Sequence, residues 1–137
     1  MSTKIIAVTG ATGAQGGGLA RAILNDRSSG FTVRAITRKP DSDHARALAK
    51  LGAEVVAANL DDRQSLEKAF QGVHGAFCVT NFWEHFSGEK EVAQAHALAD
   101  AAKAAGVAHV IWSTLEDTRK RVPLSDDRMP TLHGKYK

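Results

Sequence analysis

The chain has 137 residues, 43% hydrophobic and 24% charged, the proportions of one folded domain rather than a disordered segment. Lys and Arg total 18 against 15 Asp and Glu, a net charge of +3 with no basic block, so the composition gives no reason to expect direct nucleic-acid binding. A single cysteine, Cys78, excludes an internal disulfide and argues against a cysteine-ligated metal site.

The first apolar run, KIIAV, spans Lys4–Val8 and reads as a strand. It is too short for the core of a signal sequence and far too short to cross a bilayer, so no membrane association and a cytoplasmic location are expected. The glycine-rich stretch VTGATGAQGGG follows, opening a helix that runs through LARAIL. FTVRAIT is the second strand and DSDHARALAKLG the second helix, with Asp41 or Ser42 as its cap. AEVVAA and DDRQSLEKAFQG form the third pair, capped by Asp61 or Asp62. HGAFCV is the fourth strand, with Cys78 as a small buried hydrophobe. NFWEHF is expected as a loop after it, and Ser87 caps a fourth helix that continues to Gly106. VAHVIW closes the series as the fifth strand.

Gly52, Gly72 and Gly106 stand where helices end in a left-handed residue. The apolar helix faces are expected at Ala45, Leu48 and Ala49, at Leu66, Ala69, Phe70 and Val73, and at Val92, Ala95, Ala99 and Ala102. The strands lack clean polar alternation, as strands buried on both faces do. The whole predicts an α/β, doubly wound parallel sheet of the Rossmann type, five strands in the order 3-2-1-4-5. The Rossmann domain is placed at 1–113. An irregular tail at 114–137, with Pro123 and Pro130 and no periodicity, is read as leading to a missing C-terminal substrate or partner domain.

Gly10, Gly13 and Gly16 have the spacing GxxGxxG between a strand and a helix. In that context the first glycine permits a tight turn, the second lets backbone N–H groups approach a pyrophosphate, and the third allows the helix to pack closely on the strand. Each helical glycine costs about 0.8–1.0 kcal/mol relative to alanine. The run Gly16–Gly18 therefore exceeds what a structural turn alone requires. No GKS or GKT follows, which excludes a P-loop. An acid about 20 residues beyond the glycines would select NAD through the ribose 2′-hydroxyl. Arg38 and Lys39 stand there instead, suited to a 2′-phosphate, so NADP(H) is expected, with NAD(H) possible. At the other strand ends, Asn59 and Leu60 are expected beside the adenine, and Thr80 and Asn81 beside a ribose.

TGATGAQGG at Thr9–Gly17, VRAITRKP at Val33–Pro40, GAEVVAANLDD at Gly52–Asp62, VTNFWE at Val79–Glu84 and HVIWSTLED at His109–Asp117 resemble, in this order, the NmrA-like family of atypical short-chain dehydrogenases/reductases. The resemblance implies an NADP(H)-binding Rossmann fold. Carried over by position, Gly10, Thr12, Gly13, Gln15 and Gly16 would hold the pyrophosphate, Arg38 the 2′-phosphate, and Thr80 and Asn81 the nicotinamide half. The family often has GD where this chain has Ala58 and Asn59, which implies a weaker adenine contact. Many members resemble redox sensors that bind coenzyme and a protein partner without turnover. Reductases of the wider superfamily use Tyr-x-x-x-Lys; the one tyrosine here, Tyr136, has no lysine four residues on. No catalytic residue is therefore assigned, Ser113 being more simply structural.

The six histidines, His44, His74, His85, His96, His109 and His133, show no zinc-like spacing, and no metal is expected. Phe82 and Trp83 are candidates for a lid or partner contact, or for local packing; His85 beside them is a weaker candidate for substrate contact. The reading is an NADP(H)-binding sensor or regulator, with a reductase lacking its second half as the alternative. A homo-oligomer through the fifth-strand edge is expected.

Overall fold

Each apolar run becomes a strand, and each strand is parallel to its neighbour. The computed structural model describes residues 2–117 and 120–121. The strands are β1 (Lys4–Val8), β2 (Phe31–Thr37), β3 (Glu54–Ala57), β4 (Gly75–Cys78) and β5 (His109–Trp112), in the order β3-β2-β1-β4-β5. The helices are α1 (Ala14–Asn25), α2 (Asp43–Lys50), α3 (Arg63–Phe70), α4 (Phe82–His85) and α5 (Gly88–Ala104). Sheet order and class are those the sequence predicts. Of the expected tail, 114–117 form neither helix nor strand, while 122–137, with Pro123, Pro130, His133 and Tyr136, lie outside the described residues. No helix among the described residues is long and apolar enough to cross a membrane.

Successive strand residues point to opposite faces, so the sheet is covered twice. Ala7, Ile36, Ala76 and Cys78 join Leu66, Phe70, Leu98 and Ala101 in one core under α3 and α5. Val8, Val33 and Ala35 join Ala20 and Leu48 in the other, under α1 and α2. Burial pushes the Cys78 thiol up to about 12, so it stays neutral. Arg34 spans the β2–β3 pair and α3: it bonds Glu54 at 2.7 Å and the carbonyls of Ala69 and Gln71.

The alternative caps resolve cleanly. Ser42 accepts from the Ala45 N–H, Asp62 from Ser65 and Ser87 from Lys90. Asp61, left out of the cap, accepts instead from the Gln94 side-chain amide at 2.9 Å. That bond, with Lys90 beside it, holds the carboxyl below its usual range.

Two expectations fail on the helices. The segment after β4 is not a plain loop: Phe82–His85 make one helical turn, closed by Phe86 in the left-handed conformation at φ 54°. The helix faces are also misplaced in part. Val92, Ala99 and Ala49 are exposed, and α5 turns Glu91, Gln94, Leu98, Ala101 and Ala102 inward. Alanines lie all around α5, so its apolar stripe is poorly defined. Hydrogen bonds from Gln94 to Asp61 and from Thr80 to Glu91 accompany the observed rotation.

Candidate functional site

In this strand order the chain leaves β1 toward β2 on one side and reaches β4 on the other, so a crevice forms at the carboxyl ends of the strands. A cleft of about 730 Å³ lies there. Its floor is the β1–α1 turn. Thr9 is buried, accepts from the Val79 N–H at 2.9 Å and donates to the Phe77 carbonyl at 3.1 Å, which joins the ends of β1 and β4. Gly10 takes the left-handed conformation, φ 57°, where a side chain would be strained.

The third glycine of the motif has a measurable reason. A Cβ on Gly16 would lie 2.4 Å from the Gly10 carbonyl oxygen and 2.7 Å from that of Thr9, both backbone atoms. One on Gly13 would lie 3.2 Å from the same Gly10 oxygen. Gly18, by contrast, has nothing within 4 Å and serves no close approach.

Helix α1 starts on Gly13 with no side-chain cap and no acid in its first turn. Gly13, Ala14, Gln15 and Gly16 all line the cleft. Its N-terminal amides and the positive end of its dipole thus face the cavity without a protein carboxylate or hydroxyl spent on them. This is the condition for binding a diphosphate there, and the residues present fit it.

On the β2 side, Arg38 and Lys39 line the cleft. Arg38 does not stand free: its guanidinium is paired with Glu84 of α4, from the far side of the cleft mouth. Both side chains remain about half exposed. Leu60 and Ala58 line the wall below. Asn59, expected beside the adenine, does not; its Oδ1 accepts from the Asp61 N–H at 2.9 Å, closing the turn into α3. On the other side Thr80, Asn81 and Ser113 line the cleft, as Thr12 does on its floor. Ser113 donates to the Gln15 side-chain oxygen at 2.6 Å, linking the end of β5 to the start of α1. His85, the last residue of α4, is not part of the lining: its ring stands 3.8 Å from Glu91.

The cleft therefore gathers every residue expected to touch the coenzyme except Asn59, and leaves out the substrate-contact candidate His85. Sequence reasoning did not foresee Glu84 on Arg38 or Ser113 on Gln15. A carboxylate in the loop opposite Arg38 was the only signal for the first.

Comparison with known proteins follows the same lines. The model of the NmrA-like family matches residues 2–137. The NmrA-like family domain-containing oxidoreductase FrzB of Cladobotryum sp is 45% identical over 116 residues, 82% of this chain but 34% of FrzB. Triphenylmethane reductase of Citrobacter sp., solved in complex with NADP(H), superposes with a TM-score of 0.75 at 28% identity, covering 95% of this chain and 42% of the reductase. NmrA, a negative transcriptional regulator, was solved in complex with NAD and superposes with a TM-score of 0.73 at 28% identity, over 90% of this chain and 37% of NmrA. The chain thus spans about a third of the length of the curated relative and about two fifths of the solved ones.

Proposed function

The chain belongs to the NmrA-like family, and from that premise we propose that it binds NADP(H) in this cleft and acts as a coenzyme-responsive sensor or regulator. The observation that carries the reading is the uncapped, acid-free start of α1 in the wall of the cleft. The cavity is of the size that holds a small ligand. The Ala14–Gly16 amides would take the pyrophosphate, with Gly10, Thr12, Gly13 and the Gln15 side chain beside them, the Gly13 N–H itself being held by the Gly10 carbonyl. Arg38 and Lys39 would take the 2′-phosphate, Leu60 the adenine, and Thr80 and Asn81 the nicotinamide half.

Glu84 gives the sensing half of the proposal a physical basis. A 2′-phosphate carries more charge than a carboxylate and offers more acceptor oxygens. It would take Arg38 away from Glu84, whereas NAD(H), with only a hydroxyl there, has far less claim on it. Glu84 sits on the same helical turn as Trp83, 57% exposed, and beside Phe86, 66% exposed. These two rings pack edge to face at 5.8 Å and present an aromatic surface that a protein partner would read.

Fluorescence titration of this chain with NADPH and NADH tests the reading. We expect NADPH to bind more tightly, and Arg38→Ala to remove that preference. Equal affinities in the unsubstituted chain would overturn the 2′-phosphate role.

A second reading, an NAD(P)H-dependent reductase, is favoured by the oxidoreductase names of relatives such as FrzB. The coenzyme would supply a hydride, and Ser113, which lines the cleft just past β5, would stand toward the nicotinamide half. Consumption of NADPH with aldehydes or quinones would favour it. The exposed Val110 and Ile111 on the β5 edge support association of two copies. A monodisperse monomer in light scattering would remove that part.

A further inference from the structure

Behind the cleft wall lies a buried acid that the proposed coenzyme contacts do not use. Glu91 is only 7% exposed, stands in the first turn of α5 and does not line the cleft. Its Oε1 accepts the hydroxyl proton of Thr80, which does line the cleft. Its other oxygen faces His85 Nε2 at 3.8 Å, and His85 Nδ1 accepts from the Ser87 N–H at 3.1 Å. A carboxylate in the first turn of a helix is favoured by the dipole, which makes this a tolerable place to bury one.

A threonine hydroxyl has one proton to give. With that proton committed to Glu91, the Thr80 oxygen can offer only lone pairs to a ligand. We infer that Glu91 is a positioning residue that fixes Thr80 as a hydrogen-bond acceptor, so that this part of the cleft selects a ligand group bearing an O–H or N–H donor. The inference rests on the dinucleotide reading. In that reading Arg38, at the β2 end, marks the adenosine side, and Thr80, across β1 at the β4 end, meets the nicotinamide half. The donor is then a hydroxyl of the nicotinamide ribose or the carboxamide NH₂.

The test uses three probes by calorimetric titration: NADP⁺, its nicotinic acid analogue, and 2′,5′-ADP, which lacks the nicotinamide half altogether. Thr80→Val and Glu91→Met should each weaken NADP⁺ roughly three- to tenfold, the range of one neutral hydrogen bond. The double variant should be no weaker than either alone, because the two side chains act as one unit. All should bind 2′,5′-ADP as the unsubstituted chain does. Glu91→Gln, whose amide oxygen still accepts from Thr80, should restore NADP⁺ binding.

If the loss extends to the nicotinic acid analogue, the donor is the ribose hydroxyl; if it spares the analogue, the donor is the carboxamide. Unchanged NADP⁺ affinity in Thr80→Val overturns the inference even if Glu91→Met does not fold. Equal weakening of 2′,5′-ADP overturns it too, since that is the mark of a general structural role. Failure of the unsubstituted chain to bind either NADP⁺ or 2′,5′-ADP would instead remove the dinucleotide reading, and this inference with it.

Discussion

Helix α1 and the helices α2, α3 and α5 all begin at the same rim of the sheet, yet they begin differently. The latter three close their first turn with a side-chain oxygen, from Ser42, Asp62 and Ser87. Helix α1 begins on a glycine with nothing in that place. A side-chain cap contributes about 1 kcal/mol, and each of Gly16, Gly17 and Gly18 forfeits about as much again relative to alanine. Helix α1 stands all the same because Ala20 is buried and Leu19, Ile23 and Leu24 pack into the core on its side of the sheet. The contrast teaches where stability has been given up: at a long helix whose uncapped, glycine-rich start lines the cleft.

The contrast can be broken or sharpened experimentally. Gly16→Ala should have the largest effect, a loss of about 3 kcal/mol in chemical denaturation together with loss of coenzyme binding. Its methyl group meets backbone at 2.4 Å, which no side-chain rearrangement relieves. Wild-type stability in this variant would mean that the close approach is not real. Arg38→Ala should weaken NADPH roughly ten- to a hundredfold and leave NADH nearly unchanged, the scale of a charged hydrogen bond. A matching loss for both coenzymes would place Arg38 elsewhere than on the 2′-phosphate.

Asp62→Ala serves as the capped counterpart. It should cost about 1 kcal/mol of stability, read as a lower melting temperature, without altering coenzyme affinity. Gly18→Ala should act in the opposite direction. Gly18 is exposed with open space around it, so alanine there should stabilise by about 0.8–1.0 kcal/mol. A destabilised Gly18→Ala protein would show that the third glycine of the run has a role the contacts do not reveal. The smallest effect is expected for Glu84→Gln, which frees Arg38 from an exposed partner. NADPH should bind about two- to threefold more tightly, in keeping with the modest strength of surface ion pairs, and NADH should not change.

Much of the fold was legible because it is written in short windows. Apolar runs of four to seven residues, glycines at their ends and caps such as Ser87 are local signals, and they led to the strand order. The glycine turn was legible for the same reason. The inward face of α5 was not, because alanine contributes too little burial energy to mark a side. Reading Val92 and Ala99 as core was the result. The turn at Phe82–His85 escaped because four residues carry no periodicity. Asn59 was chosen for its place at a strand end, and no window that short shows that its Oδ1 accepts from the Asp61 N–H outside the cleft lining.

By itself, then, the sequence determined the alternation of strand and helix, the caps, and a glycine turn whose open amides invite an anion. Those properties depend on neighbours within a few residues. Only the tertiary structure decided that Glu84 meets Arg38 across 46 positions of chain, that Ser113 meets Gln15 across 98, and that Glu91 stands behind Thr80. Such pairings follow from which strands lie side by side and how far each helix is rotated, and a side chain's reach of a few ångströms makes them all or nothing.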